Sequence, residues 1–162
     1  MLPVVMVLLC VVGRVIPHPP NFAPVGATAV FAGRTLPLPA AVLLVMVSML
    51  ASNAALAFIH GWAVVGAVTP FVLGGFALQT VLGRALRARR GGALAAAGLG
   101  AVGFFVLSNL GVWIAGGCAG EAAGLTAVYI AAIPFFGGTL AGDLIWTLIL
   151  TQTHAVLARR FA

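Results

Sequence analysis

Arg14, His18, Asn21 and Phe22 lie together in RVIPHPPNFAPVGA, residues 14–27, between two apolar runs. A guanidinium grips anionic or acceptor groups, an imidazole and an amide supply hydrogen bonds, and a phenyl ring stacks. A second group, SNAALAFIHGW (residues 52–62), carries Ser52, Asn53, His60 and Trp62. A third, LSNLGVWIAGGCAGE (residues 107–121), carries Ser108, Asn109, Trp113, Cys118 and Glu121, and further on TLAGDLIW places Asp143 deep in an apolar stretch. Such residue types recognise a polar or anionic small molecule. They contain no nucleophile–base–acid spacing, no H-E-x-x-H, no paired CxxC and no phosphate loop, and the chain has no lysine. No enzyme is expected from this chain, and no cofactor can be named.

Each group also has an ordinary structural reading. Trp62 and Trp113 fit an interfacial aromatic belt. Asn53 and Asn109 fit hydrogen-bonding between helices, His60 next to Gly61 fits a helix end, and Glu121 fits a helix first turn. Two residues resist this treatment. Asp143 is one of only two acids, and a carboxylate in hydrocarbon costs about 2.5 kcal/mol or more unless paired. Arg14 is a basic residue where the rest of the pattern has none. An Arg14–Asp143 or Arg14–Glu121 pair is therefore expected, serving either structure or a ligand.

The elements that position these residues follow from composition. The chain is 63% hydrophobic and 6% charged, which no soluble domain could cover, so an all-α, polytopic membrane protein is expected as one domain over residues 1–162. Hydropathy predicts helices near 2–16, 24–34, 38–59, 62–83 and 93–114, and a last one within 122–158, with Pro134 and Gly137–Gly138 as places for it to bend. The N-terminal run lacks a basic region and a small-residue cleavage site, so it is expected to stay as the first helix. A Cys10–Cys118 disulfide is not expected.

Arginines then set orientation. Arg34, the cluster Arg84, Arg87, Arg89 and Arg90, and the pair Arg159 and Arg160 fall on one side if six helices span, which should be the cytoplasm, with both termini inside. The net charge of +6 is split among these helix ends and does not point to nucleic acid. Loops 1–2, 3–4 and 5–6 then face outward, and all three hold the polar groups described above. Small residues in PVGATAVFAG and GGALAAAGLG predict close helix packing.

The motifs RVIPHPPNFAPVGATAVFAG, FVLSNLGVW and YIAAIPFFGGTLAGDLIW resemble an uncharacterised family of small bacterial membrane proteins, itself similar to the S components of energy-coupling-factor vitamin transporters. That resemblance implies a six-helix bundle in the bacterial inner membrane, binding a vitamin-like or metal-related small molecule at its outer face for uptake. It implies a transmembrane coupling subunit with ATPases, or another membrane complex, as partner. Helix 1 departs from the S-component pattern, since apart from Cys10 its only small residue is Gly13. The residues expected to hold the ligand are Arg14, His18, Asn21, Phe22, Asn53, His60, Asn109, Trp113 and Asp143. The competing expectation is a structural accessory subunit of a larger membrane complex, with the same polar residues serving internal packing.

Overall fold

The computed structural model describes residues 2–116 and 124–160, and every regular element among them is an α-helix. In chain order these are α1 (Leu2–Val15), α2 (Val25–Thr35), α3 (Leu38–His60), α4 (Thr69–Ala85), α5 (Gly92–Ile114) and α6 (Leu125–Arg160). The all-α expectation holds. Prolines and glycines mark most of the boundaries. Pro24 precedes α2, Pro37 and Pro39 open α3, and Gly61 ends α3 in the left-handed region at φ 71°.

One expectation changes. The fourth helix starts at Thr69, not near 62, although residues 62–68 are as apolar as a helix would be. Gly61 and Gly66 loosen this stretch. The Gly66 N–H donates to Thr69 Oγ1 at 2.9 Å, and Pro70 sits in the first turn, where it needs no N–H. The last segment is a single α-helix, α6, which continues through Pro134 and Gly137–Gly138 to Arg160. In a bundle, neighbouring groups can satisfy the carbonyl that a proline leaves free.

The short helix α2 is the centre of the molecule. Its residues from Val25 to Gly33 are all buried, against α3, α4, α5 and α6. Small residues make this possible. A Cβ on Gly33 would lie 2.0 Å from the Thr80 carbonyl oxygen, and one on Gly83 would lie 2.3 Å from that of Val30, so α2 and α4 approach through a reciprocal pair of glycines. At 1.5 Å per residue, α2 is about 16 Å long, roughly half of a bilayer's hydrocarbon core. Its shortness is thus a matter of position, since it starts buried inside the bundle at Val25 and reaches the surface only at Thr35. Met6, Cys10, Phe31, Val45 and Phe76 fill the core around it; Cys10 is a buried thiol.

The outer surface is apolar. Phe58 is 93% exposed, and Val4, Leu43, Ile130 and Ile133 are all exposed, as suits lipid and not water. The helices α3, α5 and α6 are each long and apolar enough to cross a membrane. At one end of the bundle Arg34 donates to the carbonyl oxygens of Leu86 (3.2 Å) and Arg87 (3.1 Å), where the end of α4 favours a cation. The arginines expected to share a side, Arg34 and the cluster after α4, are in fact neighbours.

Candidate ligand-binding site

At the other end of the bundle, α2 begins below the level at which its neighbours end, which leaves a hollow above its first turn. Asp143 reaches this place from α6 and is only 4% exposed. Room for it comes from Gly26, where a Cβ would stand 2.2 Å from Asp143 Oδ1. The carboxyl therefore lies against the start of α2, the end of a helix that favours negative charge. Gln79 of α4, fully buried, donates from Nε2 to Asp143 Oδ2 at 2.6 Å. Its other amide atom, Oε1, is buried with no hydrogen-bond partner among the described residues. Such an orphan acceptor carries a desolvation cost of about 1–3 kcal/mol.

Arg14, at the end of α1, is half-buried and held by α3. Its Nη1 donates to Ser52 Oγ and Asn53 Oδ1, both at 2.7 Å, and lies 3.2 Å from Met49 Sδ. Asn53 in turn donates from Nδ2 to the Val64 carbonyl oxygen at 2.8 Å, which ties α1 and α3 to the 62–68 segment. The expected Arg14–Asp143 pair is not formed: Arg14 takes hydroxyl and amide acceptors, and Asp143 takes an amide donor. The alternative partner, Glu121, and also Cys118, lie outside the described residues.

The segment 16–24 closes the hollow from above. Its prolines restrict the backbone, Phe22 N–H donates to the Pro19 carbonyl at 3.0 Å, and Asn21 takes the left-handed region at φ 61°, which asparagine tolerates. The segment rests directly on α6. A Cβ on Gly138 would lie 2.1 Å from the Pro20 carbonyl oxygen, and one on Gly142 would lie 3.2 Å from Phe22 Cα. These two glycines, one turn apart, form the seat for the segment.

Arg14 and Asp143 line one cavity of about 230 Å³, together with Asn21, Gly26, Gln79 and Thr139 on its polar side. Met49, Val72, Phe76 and Phe104 supply its apolar walls. A second, outer cavity of about 370 Å³ shares Asn21, Val72, Phe104 and Thr139 with it and adds Ser108 and Asn109 from α5. The two adjoin and are both half open; the first is the chamber, and the second, nearer the end of α5, its vestibule.

Of the expected site residues, the structure gathers Arg14, Asn21 and Asp143 in the chamber and Asn109 in the vestibule. Asn53 stands one step back and positions Arg14. Phe22 contributes its backbone to the α6 contact. Three residues are elsewhere. His18 is exposed, with Nδ1 2.8 Å from the Pro19 carbonyl oxygen, because the proline-rich turn directs it outward. His60 is exposed and stacks on Trp62 at 4.9 Å, as the last residue before the Gly61 helix end. Trp113, near the end of α5, is 43% exposed and lines neither chamber.

A family model matches residues 1–162, that of a family of unknown function, DUF6580. The chain belongs to DUF6580. No curated protein and no solved structure matches it. The DUF6580 chain also uses residues that its sequence did not bring forward. Gln79 is one, and the signal was there: a lone amide within the apolar stretch of α4 invites the same question as Asp143. Thr139 and the walls Val72, Phe76 and Phe104 carried no such signal, since threonine, valine and phenylalanine are ordinary in membrane helices. The described residues of this DUF6580 protein hold no group of three or more His, Cys, Asp or Glu side chains fit for a metal ion. The chamber's chemistry is that of hydrogen-bond donors and acceptors set beside apolar walls.

Proposed function

We propose that this DUF6580 protein is a multi-pass protein of the bacterial inner membrane that captures a small molecule at its outer face for uptake, in the manner of the S components it resembles. The observation that carries this reading is the buried, unpartnered Gln79 Oε1 beside Asp143 at a half-open cavity. Packing alone gives no reason to keep an amide and a carboxylate buried there at that cost. Six passes with both termini in the cytoplasm fit the neighbouring arginines at the opposite end. The short α2 completes the bundle from within. The ligand enters through the vestibule, the 16–24 segment yields at its glycine seat on α6, and release inward follows when the protein reorients against a partner. That partner is a transmembrane coupling subunit with ATPases or another membrane complex. A solid bundle would have favoured the accessory-subunit reading; a chamber with an orphan acceptor favours capture.

Native mass spectrometry of the purified protein tests this. The expected result is a retained small molecule that is lost when Val72→Trp blocks the junction of the two chambers, with the variant still folded. Wild-type protein that retains no molecule, and whose stability no fraction of a metabolite extract raises, overturns the reading.

A further inference from the structure

Two unlike polar groups line the chamber, and neither has a protein counter-ion among the described residues. One is Arg14. Its Nη1 is occupied by Ser52 and Asn53, but Nε and Nη2 have no protein acceptor among those residues. The other is a pair of acceptors: Asp143, which receives a hydrogen bond only at Oδ2, and Gln79 Oε1, which receives none. Met49, Val72, Phe76 and Phe104 supply apolar walls to the same cavity.

We infer that the ligand is a small amphoteric molecule, with a carboxylate or similar anionic acceptor for Arg14, an N–H donor group for Asp143 and Gln79, and an apolar link between them. This rests on the capture reading proposed above and narrows it to a ligand class. The argument is one of complementarity. A simple anion would satisfy the guanidinium and leave Gln79 Oε1 and Asp143 unpaired, while repelling the carboxylate. A simple cation would do the reverse. An apolar molecule would desolvate both ends and pair neither, the costliest outcome in a dry site. A molecule with both groups meets each end and brings no net charge into a chamber whose own formal charges, Arg14 and Asp143, cancel.

The test uses the full chain in lipid nanodiscs and isothermal titration calorimetry with matched probes. These are straight ω-amino acids of three to eight carbons, the plain carboxylic acids and the plain amines of the same lengths. At least one ω-amino acid should bind at least tenfold tighter than both its matched acid and its matched amine. Asp143→Asn should remove that advantage over the acid, and Arg14→Gln the advantage over the amine. Because either variant could fold poorly, each is scored only where its melting temperature stays within a few degrees of the wild type, and Gly74→Ala, with open space around it and outside both cavities, is carried alongside and should leave the advantage within about threefold. An acid or amine that binds as tightly as the two-ended probe overturns the ligand class and leaves capture standing. So does a retained natural molecule lacking either an anionic or an N–H donor group. Binding of no probe, together with no retained molecule in native mass spectrometry, overturns both.

Discussion

Replacing Gly26 by alanine puts one methyl group against a single carboxylate. The added Cβ would lie 2.2 Å from Asp143 Oδ1 and 2.7 Å from both Cγ and Oδ2, so all three carboxyl heavy atoms must move. The 2.6 Å bond from Gln79 Nε2 cannot survive that movement, and Gln79 is fully buried with its Oε1 already orphaned. Overpacking costs about 1–3 kcal/mol and losing a hydrogen bond to a charged group about 1.5–3 kcal/mol. The sum is about 3–5 kcal/mol, or a fall in Tm of about 10 °C for a chain of this length. The assay is the fraction of monodisperse protein left after heating in detergent, for the wild type, Gly26→Ala, Asp143→Ala and the double variant. In the Asp143→Ala background the methyl has space, so Gly26→Ala should cost under about 1 kcal/mol there, a coupling of at least 2 kcal/mol. If Gly26→Ala is neutral, or costs the same in both backgrounds within about 0.5 kcal/mol, Gly26 does not serve to seat Asp143 and the site's geometry is wrong.

Three further outcomes follow from the same contacts. Gly83→Ala would push the α2 and α4 backbones apart and should destabilise by about 3 kcal/mol in the same heating assay, whereas Gly74→Ala, with open space around it, should be near neutral. Gly138→Ala should lift the 16–24 segment off α6, read as at least tenfold faster hydrogen exchange at Asn21 and Phe22 with α2 still protected. Asn53→Ala should remove the tie to Val64 and cost about 1–2 kcal/mol, with faster exchange confined to residues 62–68 and the end of α1.

Helix ends were largely legible where proline or glycine carries a backbone reason, as at Pro24, Pro37 and Gly61. Residues 62–68 misled because hydropathy reports what a segment dislikes, water, and not whether it is helical; the Thr69–Pro70 signal was the better guide. In the site, Arg14 stood out as a basic residue on the side expected to lack them and Asp143 as a carboxylate in an apolar stretch, and both line one cavity. That they face one space without touching was not legible. It depends on Gly26 and Gly138 granting close approach between segments far apart in the chain, and a glycine's neighbours are a property of the fold. His18 and His60 show the converse, since a titratable side chain near a predicted mouth still goes outward when its local turn directs it there.

The buried α2 also constrains how the molecule is made. From Val25 to Gly33 it offers no surface to lipid, and the four helices it is buried against, α3 to α6, are all translated after it. Until α6 emerges from the ribosome, this glycine- and alanine-rich segment has no home in the bilayer and must wait at its edge or beside the insertion machinery. Completion of the fold is then a single late event, in which α6 brings Asp143 to Gly26 and the chamber and the keystone are set together.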